Sequence, residues 1–275
     1  MNASVSESAV LKQFDDWYAH MRAPVMAAID RSVCGCDYGG TSWTTREEAD
    51  RIAGALALAP GKRLLEVGAG SGWPGLYFAQ RSGCAVVLAD LPAEGLKLAR
   101  ERAEKDGLAA RCQVMQADGG NLPLHDASAD AVSHSDVLCC LLDKAAVLSE
   151  CRRVVRPHGR MAFAVIFVAD GLSPQDRADA VAAGPPFVES DRDYRTLLAQ
   201  TGWRVVGVAD LTAAFCRSMR TLIGAREKHR DQLKELLGPA VYDDMMARSR
   251  ENLPRIERGL LQRALFTVEP LALAR

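Results

Sequence analysis

A run of glycines at the end of an apolar segment constrains this chain more than any other feature. Leu64-Leu-Glu-Val-Gly-Ala-Gly-Ser-Gly72 places glycines at 68, 70 and 72 directly after Arg63 to Val67, which reads as a short buried strand. Glycines at that spacing let the backbone turn sharply and approach a ligand with no Cβ in the way. The helix that follows, near residues 74–82, would aim its first N–H groups at the same ligand.

The chain then repeats this order. Ala85 to Asp90 reads as a second strand, residues 93–106 as a helix, and Arg111 to Ala117 as a third strand. Asp130 to Ser135 reads as a fourth strand, residues 143–156 as a helix, and Gly159 to Phe167 as a fifth strand. Trp203 to Ala209 and a short run at Leu265 to Val268 supply the last two. Strands separated by helices imply right-handed crossovers and a sheet covered on both faces. The expected fold is α/β: a Rossmann-like, doubly wound, mainly parallel seven-stranded sheet with a helical lid.

The lid is expected from the parts outside this rhythm. Residues 5–30 read as helical, with Val10, Leu11, Phe14, Trp17, Tyr18, Met21 and Val25 on one face. Thr44 and Thr45 stand three residues before Glu47 and Glu48, a capping box for a helix running to about Ala59. A long helical segment covers about 218–263, with Pro254 expected to restart it as an N1 residue. The expected organisation is an N-terminal helical segment (1–45), a core (46–213), a helical insertion (214–263) and a last core strand (264–275).

Composition narrows the function classes. Lys and Arg number 34 against 35 Asp and Glu, a net charge of −1, so the chain lacks the positive excess expected of a nucleic-acid binder. The longest apolar run, Met161 to Ala169, is far short of the roughly 20 residues a membrane span needs. The N-terminus has no apolar core, and the expected location is cytoplasmic. None of the eight cysteines forms a C-x-x-C pair, which favours buried free thiols and no metal.

The glycine turn alone leaves two ligands open, because Gly70-Ser-Gly72-Trp-Pro-Gly75 also spells the dinucleotide fingerprint G-x-G-x-x-G. Three carboxylates weigh against a dinucleotide. Glu66 precedes Gly68 by two residues, Asp90 ends the second strand, and Asp118 with Gly119 follows the third. Such an edge would repel a pyrophosphate and suit a cationic nucleoside, with Asp90 accepting ribose hydroxyls.

At these residues the chain resembles the class I S-adenosylmethionine-dependent methyltransferases, in their small-molecule branch. Leu64 to Gly72 resembles that family's motif I, Val87-Leu-Ala-Asp90-Leu91 its motif II, and Ala117-Asp118-Gly119 with Leu122-Pro-Leu124 its motif III. Asp130-Ala-Val-Ser133 and Val154-Val-Arg-Pro-His-Gly-Arg160 resemble the fourth-strand motif and the turn before strand five. The resemblance implies S-adenosyl-L-methionine as cofactor, held by Glu66, Gly68, Ala69, Gly70, Gly72, Asp90, Leu91, Asp118 and Gly119. It adds His134 or Ser135 near the methionine portion, and the Gly39-to-Trp43 loop, Trp43 included, closing on the cofactor. Where many relatives carry a His this chain has Cys140, which counts against His-assisted O-methylation.

Methyl transfer needs alignment first, since the cofactor carries the hard chemistry. A hydroxyl acceptor would add a general base, for which His134 and Asp136 are the candidates. A small-molecule acceptor is expected to meet Tyr18, Tyr38, Cys140, Phe215 and Met219. Arg217, Arg220, Arg226 and Lys228 would either greet an acidic substrate or form a solvated helix face. An exposed lid face would serve a homodimer. Three other readings stay open: a nicotinamide oxidoreductase, a non-catalytic scaffold of the same fold, and a metalloid methyltransferase using Cys34, Cys139 or Cys216.

Overall fold

The computed structural model describes residues 6–36 and 41–271. Two helices, α1 (Glu7–His20) and α2 (Pro24–Cys34), precede α3 (Arg46–Ala55). The alternating part follows as β1 (Arg63–Val67), α4 (Gly75–Ser82), β2 (Ala85–Asp90), α5 (Ala93–Lys105), β3 (Cys112–Gln116) and β4 (Ala129–Ser135). Next come α6 (Lys144–Val154), β5 (Val155–Val168), α7 (Pro174–Ala183), α8 (Tyr194–Gln200) and β6 (Trp203–Asp210). Three helices, α9 (Thr212–Lys228), α10 (Arg230–Leu237) and α11 (Pro239–Glu257), lead into β7 (Leu261–Pro270).

The sheet order is β3-β2-β1-β4-β5-β7-β6. Strands β1 to β5 pair in parallel, while β7 runs antiparallel to both neighbours. The expected last strand, Leu265 to Val268, is thus part of a ten-residue strand wedged between β5 and β6. The strand order reverses at β1 and β4, which is where an open α/β sheet leaves a crevice for a ligand.

Local chemistry explains the elements. Thr45 and Glu48 form the anticipated capping box, with Thr45 Oγ1 accepting from Glu48 N at 3.2 Å and Glu48 Oε2 from Thr45 N at 3.1 Å. The single helix expected over residues 5–30 is broken at 21–23, because Pro24 starts α2 at N1 and disfavours helical backbone before it. The long C-terminal helical segment divides at His229 and at Gly238. Pro239, not Pro254, is the N1 proline; Pro254 lies inside the last turns of α11. There its missing N–H orphans the carbonyl of the exposed Arg250, which water can satisfy.

Helices α1 and α2 pack with α5 and α9–α11 rather than forming a separate body. Tyr18, Met21, Met26, Ile29, Leu98, Leu233 and Met246 make a third apolar cluster between them. Pro92, the N-cap of α5, offers no side-chain acceptor, so Asp15 of α1 supplies one: its Oδ1 accepts from Glu94 N at 2.9 Å. Asp15 therefore caps α5 across the α1–α5 contact. Asp15→Ala should cost about 1 kcal/mol in urea unfolding, whereas the same change at the exposed Asp16, which pairs only with Lys12, should cost less than half of that.

Candidate active site

Gly68 and Gly70 turn the chain out of β1 with φ of 65° and 50°, a region that side-chain-bearing residues avoid. The turn is tied to the next strand: Gly70 N donates to Asp90 Oδ2 at 2.6 Å, and Leu91 N to Asp90 Oδ1 at 2.8 Å. A Cβ on Gly68 would collide with Val137, and one on Gly70 with the Tyr18 hydroxyl. The loop after β4 and helix α1 thus close on the glycine turn from two sides. Tyr18 is held there by a 3.0 Å hydrogen bond between its hydroxyl and Thr41 Oγ1, and burial pushes its phenol above its ordinary pKa.

A cavity of about 430 Å³ lies at this strand edge. Gly68, Asp90, Leu91 and Asp118 line it from β1, β2 and β3, and Ser135, Asp136, Val137 and Cys140 from β4 and its loop. Tyr18, Trp43, Phe14, Ile166, Pro185 and Pro186 form the facing wall. Asp118 Oδ1 accepts from Gly120 N at 2.8 Å, which fixes the loop after β3. Burial pushes the Asp90 carboxyl up to about 6, against the lowering effect of its two backbone donors.

Two expected site residues face elsewhere. Glu66 is buried beneath the start of α4, where a Cβ on Gly75 would strike its Oε2. Among the described residues that oxygen has no hydrogen-bond partner, and burial raises the carboxyl well above the usual range. Glu66 therefore sits beneath α4 and is not part of the cavity wall. His134 is also fully buried and does not border the cavity. Its ring stacks on Phe163 at 4.5 Å, and Phe163 on Phe266 at 5.2 Å, an aromatic ladder across β4, β5 and β7. Among the described residues neither ring nitrogen has a hydrogen-bond partner, and burial pulls the imidazole down to about 3.

Asp136 does border the cavity, but its carboxylate is taken. Arg263 of β7, 1% exposed, donates through Nε to Asp136 Oδ1 at 2.9 Å and through Nη2 to Oδ2 at 3.0 Å. The same guanidinium reaches Glu48 Oε2 at 2.9 Å and Thr44 Oγ1 at 3.1 Å. Asp136 is a left-handed residue, φ 57°, rather than a helix cap. Sequence reasoning missed Arg263, although a cation inside the apolar run Leu260 to Phe266 demands a buried anion.

The acceptor candidates separate in the same way. Tyr18 and Cys140 line the cavity; Tyr38 lies outside the described residues. Phe215 is buried behind Trp43, ring centroids 5.0 Å apart, and Met219 borders a neighbouring outer cavity. Ala69, Gly72 and Gly119 support the loops without lining the cavity. Of the basic residues on α9, Arg220 pairs with Glu257 on the surface, whereas Arg226 turns inward to Ser249 Oγ at 2.9 Å. Among the described residues no cluster of His, Cys, Asp and Glu is arranged to hold a metal ion. Cys34, Cys139 and Cys216 lie on three different elements, and their thiols are raised rather than activated.

Comparison with known proteins bears on this geometry. A family profile described as "Methyltransferase domain" matches residues 65–163. The 27-O-demethylrifamycin SV methyltransferase of Amycolatopsis mediterranei (strain S699) is 30% identical over 216 residues, 75% of this chain and 79% of that one. The chain belongs to the class I S-adenosylmethionine-dependent methyltransferases of the small-molecule type. Methyltransferase GfsG of Streptomyces halstedii is 31% identical over 163 residues, covering 57% of this chain and 58% of that protein. The structure of phosphoethanolamine N-methyltransferase 2 of Haemonchus contortus, solved with phosphomonomethylethanolamine and S-adenosylhomocysteine, has a TM-score of 0.77. It is 17% identical, covers 94% of this chain and 61% of that one, and shows the same fold. The cofactor of this family fits the residues present: two carboxylates, Asp90 and Asp118, line the cavity with Leu91, and among the described residues Ser135 Oγ is enclosed without a partner.

Two outcomes follow from this methyltransferase site. Arg263→Met leaves two buried carboxylates facing no cation, so it should cost about 3–5 kcal/mol in urea unfolding. Adding Asp136→Asn and Glu48→Gln to it should recover part of that loss. An Asp90 that accepts a ligand's hydroxyls, as the resemblance implies, does so best when ionised, so affinity for S-adenosylhomocysteine should be full above pH 7. It should fall as pH drops below about 6, approaching tenfold per unit. Calorimetry across pH 5–8 reads this, with Asp90→Asn binding weakly and without the slope.

Proposed function

We propose that this methyltransferase acts on an ionisable hydroxyl, a phenol or enol, of a bulky and largely apolar small molecule. In this reading it works by holding the acceptor in line and not by a base on the loop after β4. The observation that carries the reading is the loss of both base candidates. His134 sits in an aromatic ladder away from the cavity, and the Asp136 carboxylate is bound at both oxygens by Arg263. A neutral alcohol would find no free base on that loop, whereas a hydroxyl that ionises by itself needs none. The apolar facing wall, Phe14, Trp43, Ile166 and Pro186, suits an apolar body. That the rifamycin enzyme's name specifies an O-methylation adds support.

Within this proposal Asp90 takes the ribose hydroxyls, Leu91 covers the adenine and Asp118 reads its edge. Gly68 brings backbone close to the cofactor, and Ser135 Oγ faces its methionine portion. Bound there, S-adenosylmethionine supplies an electrophilic methyl group. The protein's task is to set the acceptor oxygen behind that group and to keep water out, a contribution of roughly 7–11 kcal/mol when orientation is complete. Tyr18 and Trp43 close the space above the glycine turn. Among the described residues no helix is long and apolar enough to cross a membrane. A cytoplasmic enzyme with no nucleic-acid partner completes the proposal, on the balanced charge.

The test uses two phenols of matched shape whose pKa values differ by about 2 units. The pH at which kcat/KM reaches half its plateau should move with the phenol. His134→Phe, which preserves the ladder, should keep kcat/KM within about threefold and leave the pH profile unchanged. A pH profile fixed by the enzyme and lost in His134→Phe would overturn the reading.

A further inference from the structure

Two more cavities lie beyond the cofactor cavity, and they form a path. A middle cavity of about 340 Å³ shares Phe14, Thr41, Trp43 and Pro186 with the cofactor cavity. An outer one of about 700 Å³ shares Trp17, Leu222, Arg226 and Met245 with the middle one. Its rim carries Lys12 and Asp16, which are exposed. Trp43 borders all three spaces. The path therefore runs from the surface, between α1, α2 and α9–α11, to the glycine turn.

The middle cavity is mostly apolar, with Met26, Ile29, Val33 and Leu233 in its wall. Two charged residues of opposite sign interrupt it: Asp30 on α2 and Arg226 on α9. Among the described residues the Arg226 guanidinium has one hydrogen-bond partner, Ser249 Oγ, which leaves most of its five donors for other groups. Among the described residues nothing donates a hydrogen bond to the Asp30 carboxylate, although it faces the Arg226 and Arg102 charges. Burial pushes the Asp30 carboxyl up to about 7 and pulls Arg226 down to about 10. Both side chains are half-buried and border the cavity.

The opposite signs select the ligand. An anion gains from Arg226 and loses to Asp30, and a cation the reverse. A neutral hydroxyl satisfies both, donating to Asp30 and accepting from Arg226. We infer that the middle cavity holds the body of the methyl acceptor, and that Asp30 and Arg226 together read a second, neutral hydroxyl remote from the one methylated. The inference rests on the reading of the enzyme as a methyltransferase of hydroxylated apolar molecules. It narrows that class to uncharged acceptors with at least two hydroxyl groups.

The experiment is calorimetry at pH 7.5 on the full chain saturated with S-adenosylhomocysteine, using probes with one naphthalene body: 2-naphthol, 2-naphthoate and 2-naphthylmethylammonium. Wild-type protein should prefer 2-naphthol to either ion by about tenfold. Asp30→Asn should shift the preference toward naphthoate, and Arg226→Met toward the ammonium, each by about tenfold. Leu222→Trp, which fills the space between the middle and outer cavities, should abolish probe binding. S-adenosylhomocysteine affinity should stay within twofold in all three variants, which checks that they fold. Preferences that neither charge variant changes would overturn the inference, as would probe affinities that survive Leu222→Trp. These affinities do not depend on turnover. A failed correlation between phenol pKa and rate would sink the hydroxyl reading alone, and unchanged probe preferences would sink this inference alone.

Discussion

One buried guanidinium holds together three parts of the chain that no short-range contact would join. Arg263 lies on the last strand, Asp136 on the loop after β4, and Glu48 with Thr44 at the start of α3. Removing a cation from water costs several kcal/mol, and apolar residues in place of the whole ion-paired set would often be as stable. What the ion pair adds is direction. Its bidentate fork fixes Asp136 in a left-handed conformation, and this places Val137 against Gly68 and Cys140 at the cavity wall. Its other arm reaches the capping box beside Trp43, the residue common to all three cavities. The cavity floor and the lid's near end are therefore set by one side chain that touches neither ligand space.

The glycine turn is closed in a complementary way. Asp90 holds it through Gly70 N, while Tyr18 fills the space that the missing Cβ leaves. Helix α1 is itself fixed to the core, because Asp15 caps α5 and Arg22 pairs with Glu101 at 2.8 Å. The expected lid segment is thus anchored to the same helix that follows Asp90. A ligand that moved α1 would loosen the Tyr18 contact and the α5 cap together, which couples lid position to the geometry at Asp90.

Much of this was legible because it is local. The alternation of strands and helices, the glycine turn and the Thr45–Glu48 box are written in short windows of sequence. The direction of side chains on the strands was not. In a sheet covered on both faces, both faces are apolar, so alternation no longer says which face a residue takes. Glu66 and His134 were placed at the ligand edge by their position after β1 and β4, yet both turn into the core. The antiparallel insertion of β7 between β5 and β6 is a pairing over long separation, which no local pattern encodes. Arg226, expected on a solvated face, turns inward for the same reason: only the packing of α2 and α11 on α9 decides where it points. Arg263 did leave a trace, as a charge within an apolar run.

Four carboxylates near the sheet edge show why position alone does not assign a role. Glu66 is enclosed beneath α4, where burial raises its carboxyl, and it does not border the cavity. Asp136 is already paired with Arg263. Asp118 is exposed and occupied with its own turn. Only Asp90 combines partial burial, a raised carboxyl and a place on the cavity wall. In the proposed reading a cationic nucleoside is met mainly by this one carboxylate, and binding there would favour its ionised form. The middle cavity, where we place the acceptor, has the opposite character, with Asp30 and Arg226 of opposite sign in its wall. On that proposal a site acidic toward the cofactor and balanced toward the acceptor would keep the two ligands from competing for the same space.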